Sequence, residues 1–382
     1  MSDKVKEKFF NVLDFGAEGD GVTDDTEACR RALAVVDNGG TVYFPKGTYL
    51  ISDQLFISAD NVTVRGDGNA TKLLYTRVQD DSPMENQSLI GLKPGIRGVT
   101  VKDLHMEYQG EFYGEEGQSY SGRICGIYFL EAHRVLVENV EIDRFNHTAV
   151  YVSGNSSAYA TDVTVRDCYL HHNRVGGILY GFVDGIIIEN NVMEYHGSEK
   201  DGGTGYGSAG FSGAIPLNVR VINNEANYNY RKGIDLHAGE NAVIEGNTCR
   251  GNRLYGIYVE GPCTNHVIIK NNIVSDSSDA ESRSDVSVIG NTLKAASTRD
   301  SGICTDGVRK LTVSRNRLFL DSISGKAFVS LKSGAGINYI SSDNMMITSS
   351  DGIEAMVIDI QTENTTIMSL GDMLNGKALY RE

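Results

Sequence analysis

Eight stretches decide how this chain folds: VLVENVEI (135–142), VTVRDCYL (163–170), IIIENNVM (186–193), VRVINNEA (219–226), AVIEGNTC (242–249), VIIKNNIV (267–274), VSVIGNTL (286–293) and LTVSRNRL (311–318). Each is an alternating apolar strand that breaks at a polar pair, usually one containing asparagine. Such alternation marks a strand buried on one face. Measured from the second residue of each pair (Cys168, Asn191, Asn224, Asn247, Asn272, Asn291, Asn316), the copies recur after 23, 33, 23, 25, 19 and 25 residues. One strand at fixed phase, returning every 20 to 30 residues or so, specifies a β-solenoid. A sandwich of antiparallel hairpins would need tight-turn signals at regular spacing, and none is present. Asparagines stacked at the turns are expected to form ladders that satisfy backbone groups.

Working outward, a second strand follows at constant distance. Gly177-Ile178 lies ten residues after Asp167, Gly233-Ile234 ten after Asn223, and Gly256-Ile257 ten after Gly246. Its faces can therefore be assigned: Ile178, Ile234 and Ile257 point inward with Tyr180, Leu236 and Val259. The fold class that follows is all-β, a single-stranded right-handed parallel β-helix. Residues 1–60 read as an N-terminal cap continuous with the coil, with a helix from Asp24 or Thr26 to about Val36, ended by Asn38-Gly39-Gly40. Residues 61–333 read as the coil proper, interrupted by a loop at 276–300, and 334–382 as last rungs or an oligomer contact.

Bulk composition agrees. A length of 382 residues suits two or three ordinary domains, but a solenoid grows by stacking. Gly is high at 43, Pro low at 5 and Trp absent. No apolar run is long enough to span a bilayer, and MSDKVKEKFFNVLDFG lacks the apolar core of a secretory signal. The expected location is thus extracellular after release, or a phage or prophage virion, and otherwise the cytoplasm. Six cysteines (Cys29, Cys125, Cys168, Cys249, Cys263, Cys304) show no metal-ligand spacing and read as reduced and structural. A net charge of −15 leaves no basic stripe for nucleic acid. An anionic polymer would need local basic residues.

One segment carries candidate chemistry: Tyr230-Arg231-Lys232-Gly233-Ile234-Asp235-Leu236-His237. Asp235 and His237 project outward while Ile234 and Leu236 fill the core. One rung later, 23 residues on, stand Tyr258 and Glu260. Rungs lie about 4.8 Å apart, so Asp235 should neighbour Tyr258 and His237 should neighbour Glu260. Leu179 and Gly181 are the expected equivalents on the rung before, leaving open space, and Asp306 continues the line two rungs later. A His beside a carboxylate has its tautomer fixed and its basicity raised, as a proton-abstracting base requires. Tyr258 or Lys232 can return a proton from the opposite side. Arg231, Lys232, Arg250 and Arg253 can neutralise a uronate carboxylate, which makes an enolate-like intermediate tolerable. The Gly-rich stretch 195–207 reads as a loop leaving the coil before Asp235. There Tyr206 and Tyr195 could stack on sugars, and His196 or Asp201 could join the chemistry.

FFNVLDFGAEGDGVTDDTEACRRAL, followed by GGTVYFPKGTYLIS, resembles the N-terminal cap of the pectate-lyase-like β-helix superfamily. That group includes polygalacturonase-like hydrolases, phage tail-spike depolymerases and mannuronan C5-epimerase modules, so the resemblance implies a polysaccharide partner. Gly-Ile-Asp-Leu-His is similar to the Gly-aromatic-Asp-Pro-His pattern of the epimerase modules. By that resemblance Asp235 and His237 match a catalytic acid and histidine, and Glu260 matches a second catalytic Asp. Lys232 stands where the family has a catalytic Tyr, for which Tyr258 or Tyr230 can substitute, and Leu236 replaces the Pro. The family also brings calcium and a homotrimer as options, although no ligand set of suitable spacing is visible and the chemistry itself needs no cofactor. Three functions stay open. The first is C5-epimerisation or β-elimination on a uronate polymer. The second is glycoside hydrolysis by Asp235 and Glu260, and the third is glycan binding without catalysis. The basic residues beside the patch favour the first.

Overall fold

A computed structural model describes residues 8–37, 39–110, 123–198, 203–208, 216–237, 239–253, 255–260, 267–275, 280–282, 286–295, 303–306, 310–320, 329–332, 338–347, 359–360, 366–370, 372–374 and 377–378; for the strand residues Tyr206, His237, Glu260 and Cys304 only the backbone is described. The chain divides into two compact units, 1–192 and 193–382, both parallel β-helical coils.

In the first unit like side chains stack on like. Val64, Val101, Val137, Val165 and Ile188 form one row through successive turns, none more than 2% exposed. Leu73, Met106, Ile142 and Leu170 form a second buried row. Burying each such side chain contributes about 1.5–3 kcal/mol. The facing sheet is built from Leu55–Ile57, Ile90–Leu92, Ile127–Leu130, Thr148–Ser153 and Gly176–Tyr180, all parallel. The helix spans Thr26–Ala34 and buries Ala28, Cys29, Ala32 and Leu33. Its N-cap is Asp25, between the two residues expected. That carboxylate accepts from the N–H groups of Glu18 and Gly19 rather than from the helix, while Asp24 accepts from Thr26 N at 3.0 Å. The acidic pair thus ties the preceding turn and the helix start separately.

The second unit repeats the plan. Val221, Ile244, Ile269, Val288 and Val313 form its core row. The polar pair at each break has a structural division of labour. Its first residue sits in the left-handed region, at Asn223, Gly246, Asn271, Gly290, Arg315 and Asp343 with φ between 54° and 69°, where Asn, Asp and Gly are cheapest. Its second residue enters a buried ladder. The Oδ1 atoms of Asn247, Asn272, Asn291, Asn316, Asn344 and finally Asp372 each accept from the backbone N–H of the ladder residue one turn earlier. Rungs therefore continue to Met373, although the sequence repeat fades after Ser333. The stretch expected as a loop at 276–300 contributes a strand too: Ala280–Ser282 pairs with Tyr258 on one side and with Ile303–Asp306 on the other.

Cys29, Cys125, Cys168 and Cys249 are free and buried. Cys263 lies outside the described residues. Cys125 Sγ is 3.7 Å from Nδ1 of the buried His147, and burial pushes that imidazole down to about 4. The folded state holds His147 neutral while the unfolded chain protonates it near 6.5. Stability is therefore complete above about pH 6.5 and falls as the pH drops toward 4, by roughly 3 kcal/mol in total. Urea denaturation at pH 7 and pH 4.5 is expected to show this loss. A His147→Leu variant should show a correspondingly smaller difference between the two pH values.

Candidate active site

Tyr230 to His237 leave a turn held by a second asparagine ladder. Asn229 N and Nδ2 both donate to Asn252 Oδ1 at 3.0 Å, and Asn252 Nδ2 donates to Ala226 O at 2.7 Å. After it the backbones of Gly205, Gly233 and Gly256 stack so closely that a Cβ on Gly233 would lie 2.6 Å from Gly256 O. Glycine at this point lets the outward face begin immediately beyond the turn.

On that face the expected register holds: Asp235 pairs with Tyr258, and His237 with Glu260. Ile234 and Leu236 are fully buried, which puts Asp235 on the opposite side of the strand. Lys232 Nζ lies 2.8 Å from Asp235 Oδ2, with side-chain exposures of 10% and 14%. The same ammonium stands 3.7 Å from the centroid of the Tyr258 ring. Tyr258 in turn stacks on Tyr255, centroids 4.7 Å apart and planes at 26°. Lys232 and Tyr258 are buried at 8% and 7% exposure, deeper than an open outer wall would leave them. Each covers the other. The side chains of His237 and Glu260 lie outside the described residues, so their place is given by backbone register.

Tyr255 is the member that sequence reasoning overlooked. It sits in register with Lys232, the same step of 23 residues that relates Asp235 to Tyr258. Tyr230 and Arg253 form an exposed rim, the guanidinium carbon 5.4 Å from the ring centroid. Arg231 is half-buried, its N–H donating to Gly203 O at 2.7 Å. Arg250 is exposed at the end of Thr248–Arg250.

The Gly-rich segment corrects four expectations. Thr204–Ser208 is a strand of the coil, with Gly207 opposite Asp235 and Tyr206 opposite Ile234. Gly207, not Leu179, is therefore the neighbour of Asp235 on the preceding rung. Tyr206 occupies the register of a core position rather than of the outward row. His196 is fully buried, because its N–H joins the turn ladder by donating to Asn229 Oδ1 at 3.1 Å; it cannot reach a polymer. Tyr195, by contrast, is exposed and stacks on Tyr228 with centroids 5.3 Å apart. Asp201 lies outside the described residues.

The family described as right-handed β-helix region matches residues 96–213 and 125–351. The chain belongs to the right-handed β-helix family. Residues 9–98 match the family described as rhamnogalacturonase A/epimerase, pectate lyase-like. Alginate lyase 7 of Azotobacter vinelandii is 32% identical over 201 residues, 49% of this chain and 22% of that protein. Mannuronan C5-epimerase AlgE5 of the same organism is 28% identical over 273 residues, 66% of this chain and 24% of that protein. The chain thus matches less than a quarter of the length of these relatives. The solved A-module of mannuronan C-5 epimerase AlgE6, also from Azotobacter vinelandii, superposes with a TM-score of 0.75 at 20% identity, covering 95% of this chain and 99% of that one. This likeness concerns the fold.

Proposed function

We propose that this protein is an enzyme that acts on a uronate-containing polysaccharide by removing the proton at C5, with epimerisation or β-elimination as the outcome. The observation that carries the reading is the site's register and charge: Asp235 beside Tyr258, His237 beside Glu260, and Lys232 held between the Asp235 carboxylate and the Tyr258 ring. Two of the relatives described above bear the names alginate lyase and mannuronan C5-epimerase.

His237, with Glu260 on the adjacent rung to orient it, is the base that takes H5. The electron pair left behind delocalises into the substrate carboxylate, which needs a nearby cation. Arg231, Arg250 and Arg253 supply that charge, since Lys232 is paired with Asp235; Tyr230 offers a ring for stacking. For epimerisation, Tyr258 delivers a proton to the opposite face of C5. For elimination, the C4–O4 bond breaks, a C4=C5 double bond forms, and the departing oxygen takes the proton. Lys232 already neutralises Asp235, which disfavours the alternative in which Asp235 and Glu260 act as a hydrolytic carboxylate pair.

The test is incubation with polymannuronate, mixed alginate and polygalacturonate in deuterium oxide. Epimerisation is expected to leave deuterium at C5 of inverted residues by proton NMR, and elimination to leave an ultraviolet-absorbing unsaturated end. New reducing ends with neither deuterium nor unsaturation would overturn the reading in favour of hydrolysis. No change in any of these polymers would overturn it as well.

A further inference from the structure

Five ionisable side chains in the first unit converge on one outward patch that the proposed chemistry does not use. His105 and Glu107 lie on Thr100–Tyr108, Glu141 and Asp143 on His133–Asp143, and His171 on Tyr169–His171. Register aligns them in two rows, His105 with Glu141 and Glu107 with Asp143 and His171. The intervening Met106, Ile142 and Leu170 are fully buried, so the rows face away from the core. His105 Nε2 is 2.7 Å from Asp143 Oδ1 and 3.8 Å from Glu141 Oε1. His171 Nε2 is 3.3 Å from Glu141 Oε1. Side-chain exposures of 7–20% leave the patch reachable by a small ion but not open.

The outer atoms of Glu141, Asp143 and His171 are already engaged. Asn69 Nδ2 donates to Glu141 Oε2 at 2.7 Å, Arg144 Nε holds Asp143 Oδ2 at 3.2 Å, and His172 Nδ1 lies 2.8 Å from His171 Nδ1. What remains turned inward is one oxygen from each carboxylate and one Nε2 from each imidazole. Outer partners that fix the tautomer and direction of inner donors are the usual second layer of a metal site. Glu107 is different, being engaged by both Lys72 and Arg144.

We propose that His105, Glu141, Asp143 and His171 form a binding site for one divalent transition metal of the zinc class. Zinc bonds of about 2.0–2.2 Å in a tetrahedron need donors roughly 3.3–3.6 Å apart; three of the six donor separations, 2.7, 3.3 and 3.8 Å, bracket that range, and Asp143 lies within 4.8 Å of the donors on both strands beside it. Two imidazoles favour such a metal over calcium or magnesium, which take oxygen donors. The donors come from three successive turns of the coil, so the ion would clamp those turns together. Glu107 stays with its two cations and outside the coordination sphere.

Titrating the chelator-treated full-length protein with zinc chloride by calorimetry is expected to give one equivalent bound and a higher Tm. His105→Asn and His171→Asn should each weaken binding about 100-fold while retaining the far-ultraviolet circular dichroism of a β-helix. Glu107→Gln should leave zinc affinity within about threefold, and cobalt(II) should give visible d–d absorption in the parent and in Glu107→Gln but in neither histidine variant. These magnitudes follow the sensitivity usual for metal ligands and their neighbours. The proposal is overturned if the parent takes up no zinc at concentrations of order 100 μM. It is also overturned if both histidine variants bind like the parent, or if Glu107→Gln abolishes binding.

Discussion

Replacing His237 by alanine is expected to lower turnover of a uronate polymer by about 10³-fold, within the span assigned to a positioned acid or base. The backbone pairing of His237 with Glu260 continues the run Ile234–Ile257, Asp235–Tyr258 and Leu236–Val259. Position 237 is thus on the phase opposite Leu236, which is fully buried. By that backbone register truncation is expected to spare the core, so Tm should stay within a degree or two of the parent. Asp235→Asn is the companion variant. It keeps the shape of the group 2.8 Å from Lys232 Nζ but removes its charge, leaving the ammonium against the Tyr258 ring without a counter-ion. A smaller loss, of order 10²-fold, is expected, with polymer binding retained. Initial rates of C5 deuteration, or of unsaturated-end absorbance for elimination, measure both. Parent-like rates in His237→Ala would remove the histidine from the mechanism.

The second large effect concerns stability. Asn272 Oδ1 accepts from Asn247 N at 2.9 Å and Asn247 Nδ2 at 3.0 Å, while its own Nδ2 donates to Ile244 O at 3.0 Å and Asn291 Oδ1 at 3.1 Å. Asn272→Leu keeps the side-chain branching and removes all four bonds. A buried N–H and a buried carbonyl then lose partners, each costing about 1–3 kcal/mol, so a total loss near 4 kcal/mol is expected. Thermal unfolding should shift down by at least ~5 °C. The neighbouring Asn271→Gly is the control: its φ of 57° suits glycine, and the expected cost is below about 1 kcal/mol. Equal melting of Asn272→Leu and parent would mean that the ladder contributes little.

These two sites also mark how far the sequence could be read. The Asn pairs were legible because two requirements coincide there, a left-handed backbone at Asn223 or Asn271 and a buried amide at Asn224 or Asn272. The pairing of Asp235 with Tyr258 was legible because the rungs at 224 and 247 differ by a fixed 23 residues and glycine sets the strand start. Thr204–Ser208 was not, since TGYGS lacks β-branched alternation and its strand is specified by its neighbour Lys232–His237. His196 was misassigned for the same reason: a histidine in a polar, Gly-rich run gives no hint that its amide joins a turn ladder. The cluster around Asp143 passed unnoticed because HMEY and VEID read as ordinary half-buried strands. Their common face emerges only when His105 is set against Glu141 and Glu107 against Asp143, 36 residues apart.

The asparagine column fixes one point per turn and leaves the remaining path of each turn unspecified. Turn lengths from 19 to 28 residues therefore meet the same column between Asn224 and Asp372. A protein built this way can lengthen, trim or exchange whole loops of chain between fixed anchors without disturbing those above or below. Its outward wall can thus diversify while the spine that carries it stays unaltered.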